Sequence, residues 1–309
     1  MRPRAVVFAY HDVGVRGLAT LLAHGVDVTL VVTHEDNPAE TIWFDSVAAL
    51  AERECIPQVT PADPNDDALT VRIGECAPDF IFSFYYRHML GPALLRTARR
   101  GAYNMHGSLL PRYRGRVPVN WAVLHGERET GASLHRMVAK PDAGALVDQA
   151  RVPILPNDTA HQVMQKVTWA AEQVLDRTLP ALLAGTAAEH ELDLGAGSYC
   201  GRRTPADGRI DWRRDAWRIH NLVRAVAPPY PGAFFAFRGE RIEVLGSHYR
   251  GERALAAEPR IYWEAGRCYA DCFGGERFQI LDLRAGGQPL DAAVCRQRFG
   301  TDVLRPLTG

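Results

Sequence analysis

Several patterns that indicate particular kinds of site are missing from this sequence. The six cysteines form no CxxC pair and are scattered along the chain, which argues against a zinc site or a disulfide framework and favours free thiols in a reducing compartment. No apolar run is long enough to cross a bilayer, and no secretory leader pattern is seen near residue 1. We therefore expect a cytoplasmic protein with no bound metal and no membrane insertion.

Excess charge of either sign is also missing. The formal net charge is zero, and the only lysines are Lys140 and Lys166. Residues 201–309 contain 18 Arg against 13 acidic residues, a local excess of +5 that is lower than expected for a dedicated RNA-binding domain. The sequence therefore gives no reason to expect a nucleic acid as partner.

The order of apolar segments predicts an α/β protein. Buried-type strands alternate with helical patterns in the first half of the chain, which is typical of a doubly wound sheet. The predicted strands are residues 5–9, 26–33, 56–59, 79–83 and 101–105, and the predicted helices are 15–23, 42–54, 67–76 and 94–99. The first strand–helix turn has Gly14 and Gly17 but lacks the full GxGxxG pattern, so a dinucleotide-dependent oxidoreductase is disfavoured.

A glycine-rich loop at residues 195–205 marks the predicted domain boundary. Beyond residue 232, short strand-like segments follow one another, a pattern that predicts a small β-barrel. We expect two domains, residues 1–204 and residues 205–309.

The candidate chemistry lies at the end of the strand over residues 101–105. Side chains alternate along a strand, so Asn104 and His106 point the same way just before a Gly-Ser loop. Asp142 follows later on a turn-prone loop. An amide that stabilises an oxyanion, an imidazole that moves protons and a carboxylate that raises the imidazole pKa would suit acyl-group transfer. A core histidine and a simple turn aspartate are the structural alternatives.

Two further groups of polar residues are ambiguous in the sequence. Arg112, Arg114 and Arg116 lie between two prolines and fit either an anion-binding loop or a solvated one. His125 and His135 are interpreted as packing or surface residues.

The segment from Asn104 through His106 to Ser-Leu-Leu-Pro, followed by the Pro141–Gly144 turn, resembles the signature of the 10-formyltetrahydrofolate-dependent formyltransferases. Residues 8–12, 82–88, 201–205 and 231–233 look like the formyltransferase portion of the bifunctional enzymes that N-formylate UDP-4-amino-4-deoxy-L-arabinose for polymyxin-resistant lipid A. The resemblance implies a Rossmann-like formyltransferase domain followed by a small open β-barrel.

The resemblance also implies roles for individual residues. Asn104 would stabilise the oxyanion, His106 would transfer the proton and Asp142 would be its partner. Contacts to the co-substrate 10-formyltetrahydrofolate would come from His88, Met89, Leu90, Arg116, Val138, Ala139, Lys140 and Pro141. Candidate contacts to the sugar nucleotide are Tyr10, His11, Arg202 and Arg203.

The resemblance leaves the acceptor open. A UDP-linked aminosugar is the expected substrate, with UDP-4-amino-4-deoxy-L-arabinose first. The alternatives are methionyl-tRNA formylation, hydrolysis of 10-formyltetrahydrofolate to formate, and non-catalytic binding of folate or a nucleotide sugar. The bifunctional enzymes carry a decarboxylase domain that is absent from these 309 residues, so a separate decarboxylase is expected in the same pathway. The formation of a homo-oligomer is left open.

Overall fold

The computed structural model describes residues 2–38 and 40–306. The chain forms two compact units. The first comprises Met1–Pro118, Thr130–Val152 and Gln165–Gly201, and the second comprises Val119–Glu129, Pro153–Met164 and Arg202–Gly309. Both units are therefore built from discontinuous segments, whereas the predicted domain boundary between residues 204 and 205 stays a prediction.

A seven-stranded sheet is the centre of the first unit. Its strands are β1 (Arg4–Ala9), β2 (Asp27–Val32), β3 (Gln58–Val59), β4 (Phe80–Phe84) and β5 (Gly101–His106), followed, after the short β6 (Arg114–Gly115), by β7 (Glu129–Arg136) and β8 (Leu146–Pro153). The strand order is β3-β2-β1-β4-β5-β7-β8. Pairings among β1 to β5 are parallel, and β7 runs antiparallel to β5. β1 lies centrally because residues 5–9 are all apolar and fully buried.

Six helices connect or flank these strands. They are α1 (His11–Ala23), α2 (Val47–Arg53), α3 (Asp67–Glu75), α4 (Pro92–Leu95), α5 (Pro118–Leu124) and α6 (Ala160–Ala184). The prediction that a helix begins at residue 42 is wrong, because Ser46 caps α2 by accepting the Ala49 amide at 3.2 Å. Asp66 caps α3 in the same way.

The chain direction across the sheet reverses at β1, whose neighbours are β2 and β4. In an open α/β sheet, ligands bind outside the carboxyl ends of the strands at this switch point. The loops that follow β1, β4 and β5 are therefore the part of the fold in which a site is expected.

An antiparallel sheet forms most of the second unit. The preceding strand, β9 (Tyr199–Cys200), pairs with β6, and both belong to the first unit. The elements that follow in the second unit are α7 (Ala216–Val226), β10 (Ala233–Phe237), β11 (Glu240–Arg253), β12 (Arg260–Glu264), β13 (Arg267–Asp271), β14 (Glu276–Ala285), β15 (Gln288–Pro289) and α8 (Ala292–Phe299). The strand order is β10-β11-β14-β13-β12, with β15 on β14. Val223 of α7 packs in one core with Phe235, Ile242 and Phe278. The predicted fold, an α/β domain followed by a small open antiparallel domain, is confirmed.

Two kinds of feature are absent from residues 2–38 and 40–306: a membrane-spanning helix and a cluster of metal ligands. No helix there is both long and apolar enough to span a bilayer. Across residues 2–38 and 40–306, no group of three or more His, Cys, Asp or Glu side chains is arranged to hold a metal ion. All six cysteines are free thiols.

Candidate active site

The end of β5 places two polar side chains on one face, as strand alternation requires. Asn104 lies opposite His135 of β7, and His106 lies opposite Ser133. His106 is 6% exposed and His135 is 1% exposed. The antiparallel pairing of β5 with β7 therefore adds a second buried histidine to the pair that the sequence predicted.

Hydrogen bonds within the loop after β5, and between this loop and Ser133 of β7, fix its conformation. The Ser133 hydroxyl donates to the Ser108 carbonyl at 2.7 Å and accepts from the Leu110 amide at 3.2 Å. Ser108 donates to the Arg112 carbonyl at 2.6 Å. The chain then turns at Tyr113, whose φ of 58° lies in the left-handed region. This turn directs the Tyr113 carbonyl to His106 Nε2, at 2.8 Å.

Asp142 contacts both the end of β5 and the loop that follows it. Its φ of 47° is a left-handed conformation, which an aspartate in a tight turn tolerates better than most residues. Its Oδ2 accepts the Gly115 amide at 2.8 Å. Its Oδ1 lies 3.3 Å from Asn104 Nδ2, 3.6 Å from His106 Nδ1 and 3.4 Å from His135 Nε2. Three side-chain nitrogens thus surround one carboxylate oxygen.

The surroundings of Asp142 determine its charge. Burial alone would raise the pKa of this carboxyl, but His106, His135 and the Gly115 amide outweigh burial and hold the pKa well below its usual range. Asp142 is therefore a carboxylate at neutral pH, and it provides a fixed negative charge for the two imidazoles.

Backbone carbonyls assign the ring protons of both histidines, because a carbonyl oxygen can only accept. His106 Nε2 faces the Tyr113 carbonyl, so Nε2 carries a proton. His135 Nδ1 lies 2.9 Å from the Arg136 carbonyl, so Nδ1 carries the proton there. In its neutral form, His135 then presents the Nε2 lone pair to Asn104 Nδ2, 3.2 Å away.

Sequence reasoning missed His135. It treated this histidine as a packing or surface residue, whereas the structure places it in contact with Asn104 and Asp142. The available signal was a histidine in the segment that forms β7, but only the register of β7 against β5 shows which residue it faces.

The segments predicted to contact folate lie on loops of the first unit. Met89 and Val138 expose 51% and 39% of their surface, and Arg116 and Lys140 are also exposed. Leu90 is buried, Pro141 is half-buried, and His88 and Ala139 are exposed. Asn65 fixes the 88–91 loop by donating to the Met89 carbonyl at 3.0 Å and accepting the Gly91 amide at 2.5 Å. These loops therefore expose both apolar side chains, Met89 and Val138, and cationic ones, Arg116 and Lys140.

The predicted sugar-nucleotide residues fall in different units. Tyr10 and His11 belong to the first unit, where the Tyr10 hydroxyl donates to Asp36 at 2.7 Å and the His11 ring centroid lies 4.3 Å from that of Phe44. Arg202 and Arg203 belong to the second unit. Arg203 lies over the ring of Trp121, 4.9 Å from its centroid, and Arg202 is exposed.

In the loop that contains Arg112, Arg114 and Arg116, the burial of Arg114 is unexpected. Arg116 is exposed, but Arg114 is only 8% exposed. The Arg114 Nε is buried and has no hydrogen-bond partner among residues 2–38 and 40–306. The interpretation of this segment as a fully solvated loop is therefore wrong at Arg114.

The chain matches the formyl transferase family over residues 18–179 and the formyl transferase C-terminal domain over residues 202–297. The first match covers more than half of the 309 residues, and the chain belongs to the formyl transferase family. It is accordingly a formyl-transferring enzyme.

Solved structures share this fold. One is an N-formyltransferase from Helicobacter canadensis in complex with folinic acid and dTDP-3-aminofucose, with 18% identity, a TM-score of 0.73, and coverage of 91% of this chain and 99% of that chain. Another is the sugar 3-N-formyltransferase WlaRD with dTDP and 5-N-formyl-THF, at 17% identity, a TM-score of 0.70, and 93% and 99% coverage. A sugar N-formyltransferase from Shewanella sp. has 17% identity, a TM-score of 0.63, and 79% and 96% coverage. At these identities the similarity shows the fold.

Proposed function

We propose that this enzyme transfers a formyl group from 10-formyltetrahydrofolate to the 4-amino group of a UDP-linked aminosugar, with UDP-4-amino-4-deoxy-L-arabinose as the first acceptor to test. The observation that carries the proposal is the convergence of Asn104, His106 and His135 on the Asp142 carboxylate at the end of β5. The names of the structural relatives, which include sugar N-formyltransferases solved with folate derivatives, support both the donor and the class of acceptor.

The folate would bind through His88, Met89, Leu90, Arg116 and residues 138–141. Exposed Met89 and Val138 provide apolar surface for its aromatic portion, and the exposed Arg116 and Lys140 can pair with its carboxylates. When bound, the folate supplies an electrophilic formyl carbon, and the protein supplies the groups that surround it.

The catalytic roles follow from the geometry. Asn104 would donate an amide hydrogen to the formyl oxygen as negative charge develops on it. His106 would take the proton that the attacking amine loses and return it to the departing nitrogen. In this structure His106 Nε2 carries a proton and is directed at the Tyr113 carbonyl. To accept a proton at Nε2, the ring would first leave that carbonyl and hold its own proton on Nδ1, 3.6 Å from the Asp142 carboxylate. Asp142, held as a carboxylate, would stabilise the imidazolium.

The biological setting is part of the same proposal. Formylation of UDP-4-amino-4-deoxy-L-arabinose would place the enzyme in the cytoplasm, on the route to modified lipid A, with a separate decarboxylase acting earlier. Tyr10, His11, Arg202 and Arg203 are the proposed contacts to the sugar nucleotide. Self-association would be measured by light scattering.

The experiment that tests the proposal is a formyl-transfer assay. Purified protein and 10-formyltetrahydrofolate are incubated with UDP-4-amino-4-deoxy-L-arabinose, with methionyl-tRNA or with no acceptor, and mass spectrometry detects the added formyl group. Product in the sugar reaction alone supports the proposal. Product with tRNA alone, or formate release without acceptor, replaces it with the corresponding alternative. The Asp142→Ala variant serves as the inactive control.

An aminosugar linked to a second nucleotide should be assayed in parallel. Two of the similar solved structures contain dTDP or a dTDP-linked aminosugar. A dTDP-linked 3- or 4-aminosugar is therefore the second candidate acceptor. A kcat/KM for it above that for the UDP-linked sugar would reassign the substrate without changing the reaction.

A further inference from the structure

His135 makes more polar contacts with the site than a packing residue requires. It is 1% exposed, its Nδ1 donates to the Arg136 carbonyl at 2.9 Å, and its Nε2 lies 3.2 Å from Asn104 Nδ2 and 3.4 Å from Asp142 Oδ1. The neighbouring Arg136 side chain is directed instead at Glu189, 2.7 Å away. The Nε2 atom of His135 therefore faces Asn104 and Asp142, while its Nδ1 is bonded to the backbone.

The Asn104 amide has two orientations, and His135 distinguishes them. With Nδ2 in its present place, one amide hydrogen can point at the His135 lone pair and the other at the Asp142 carboxylate. Rotation of the amide by 180° would place its oxygen against the same lone pair and the same carboxylate, and both contacts would be repulsive. Two acceptors thus fix the orientation, and His135 provides one of them.

The contact of Asn104 with Asp142 is longer than an ordinary N–H···O bond of about 2.9–3.0 Å. Asn104 Nδ2 lies 3.2 Å from His135 and 3.3 Å from Asp142. The Asp142 contact helps to orient the amide but holds its hydrogen loosely, so that hydrogen can be given up to an oxygen that gains negative charge. This is the behaviour expected of a donor that is held ready before reaction.

We propose that His135 is a positioning residue of formyl transfer, which accepts from the Asn104 amide and so keeps the amide nitrogen on the side of the reacting formyl group. The inference rests on the proposed function for its kinetic consequence. The groups that face Asp142 are Asn104, His106, His135 and the Gly115 amide, and the first three change their mutual geometry when His135 is removed.

The kinetic test compares three variants. His135→Ala should lower kcat on the order of 100-fold, as a displaced catalytic group does, with little change in the KM for folate. His135→Gln should recover much of that loss, because its side-chain oxygen can accept the Asn104 hydrogen near the former Nε2 position. Leu134→Ala, a fully buried change on the same strand, should lower thermal stability without the kcat loss. Equal kcat losses in the Gln and Ala variants, or in Leu134→Ala, would overturn the proposal.

A measurement without substrate separates this inference from the proposed function. Nitrogen-15 NMR of the histidine rings in the substrate-free wild-type protein should show His135 protonated at Nδ1 and unprotonated at Nε2. Protonation at Nε2, with or without protonation at Nδ1, would overturn the positioning role even if formyl transfer to the sugar is observed. The expected tautomer with no formyl transfer to any acceptor would instead refute the proposed function.

Discussion

Each unit of the chain contains a buried histidine close to a buried charge, and the two arrangements differ in how the polar atoms are satisfied. In the second unit, His220 is fully buried and is bonded to the Ser247 hydroxyl at 2.8 Å and the Pro156 carbonyl at 2.9 Å. Arg224 donates to the Asn221 side chain at 2.8 Å and the Asp158 carbonyl at 3.1 Å. Fixed backbone and hydroxyl partners satisfy this cluster.

In the first unit one ring nitrogen of each histidine is also bonded to a backbone carbonyl, at 2.8 Å for His106 and 2.9 Å for His135, but the other ring nitrogen faces side chains of the cluster. Asn104, His106 and His135 lie 3.3–3.6 Å from the same oxygen of Asp142, farther than the short contacts of the second unit. Short bonds to the backbone hold a structure in place, whereas longer contacts around a shared charge can be exchanged for contacts with a ligand. The comparison separates a stabilising polar cluster from one suited to catalysis.

The largest effect is expected from variants that disrupt the polar cluster of the first unit. Asn104→Ala should lower kcat by about 100- to 1,000-fold, as the loss of an oxyanion donor typically does. Asp142→Ala should lower kcat by about the same factor, because it removes the carboxylate that would stabilise the imidazolium of His106. Circular dichroism should show that the fold is retained. Turnover close to wild type in either variant would remove that residue from the mechanism.

The cluster of the second unit should respond in stability instead. Arg224→Ala removes a 2%-exposed guanidinium from the Asn221 and Asp158 oxygens and should lower the free energy of unfolding by about 2–3 kcal/mol. The control is Arg218→Ala on the same helix. Arg218 is exposed and 3.5 Å from Asp215, and its loss should change stability by less than about 1 kcal/mol. Urea denaturation measures both, and equal losses would contradict the assignment.

Acid should weaken the second unit through His220. Burial lowers the pKa of His220 to about 4 in the folded protein, while the unfolded chain binds a proton near pH 6.5. Its contribution is therefore complete above pH 6.5 and declines as the pH falls toward 4. Between pH 7.5 and 5 this amounts to about 2 kcal/mol.

The non-titrating variant His220→Gln isolates that contribution. Its free energy of unfolding, measured in urea at pH 7.5 and pH 5, should fall less than that of the wild type by the stated amount. The same slope in both proteins would show that His220 is not neutral in the folded state.

The smallest expected effect concerns Arg114. Its buried Nε has no hydrogen-bond partner among the residues that the structure describes, so Arg114→Met removes an unsatisfied polar atom. We expect a free energy of unfolding within about 1 kcal/mol of wild type, or slightly higher, because a buried polar atom without a partner is unfavourable. A loss as large as that of Arg224→Ala would reveal a stabilising role for the guanidinium.

Local patterns account for much of what could be predicted. The apolar run over residues 5–9 indicated a central buried strand, and it forms β1. Alternation along β5 indicated that Asn104 and His106 share a face, and both lie within 3.6 Å of Asp142. The helix predicted from residue 42 instead begins at Val47, because a single capping side chain sets its start and apolar spacing does not reveal the cap.

The sequence by itself determined the class of fold, the strand that carries Asn104 and His106, and the family, because these depend on short-range periodicity and on a contiguous motif. Only the tertiary structure decided that His135 joins them, that Gly115 holds Asp142, and that Arg114 is buried. Those contacts join residues about 30 positions apart through strand register and left-handed turns. Register depends on the pairing of the whole sheet, which no local pattern specifies.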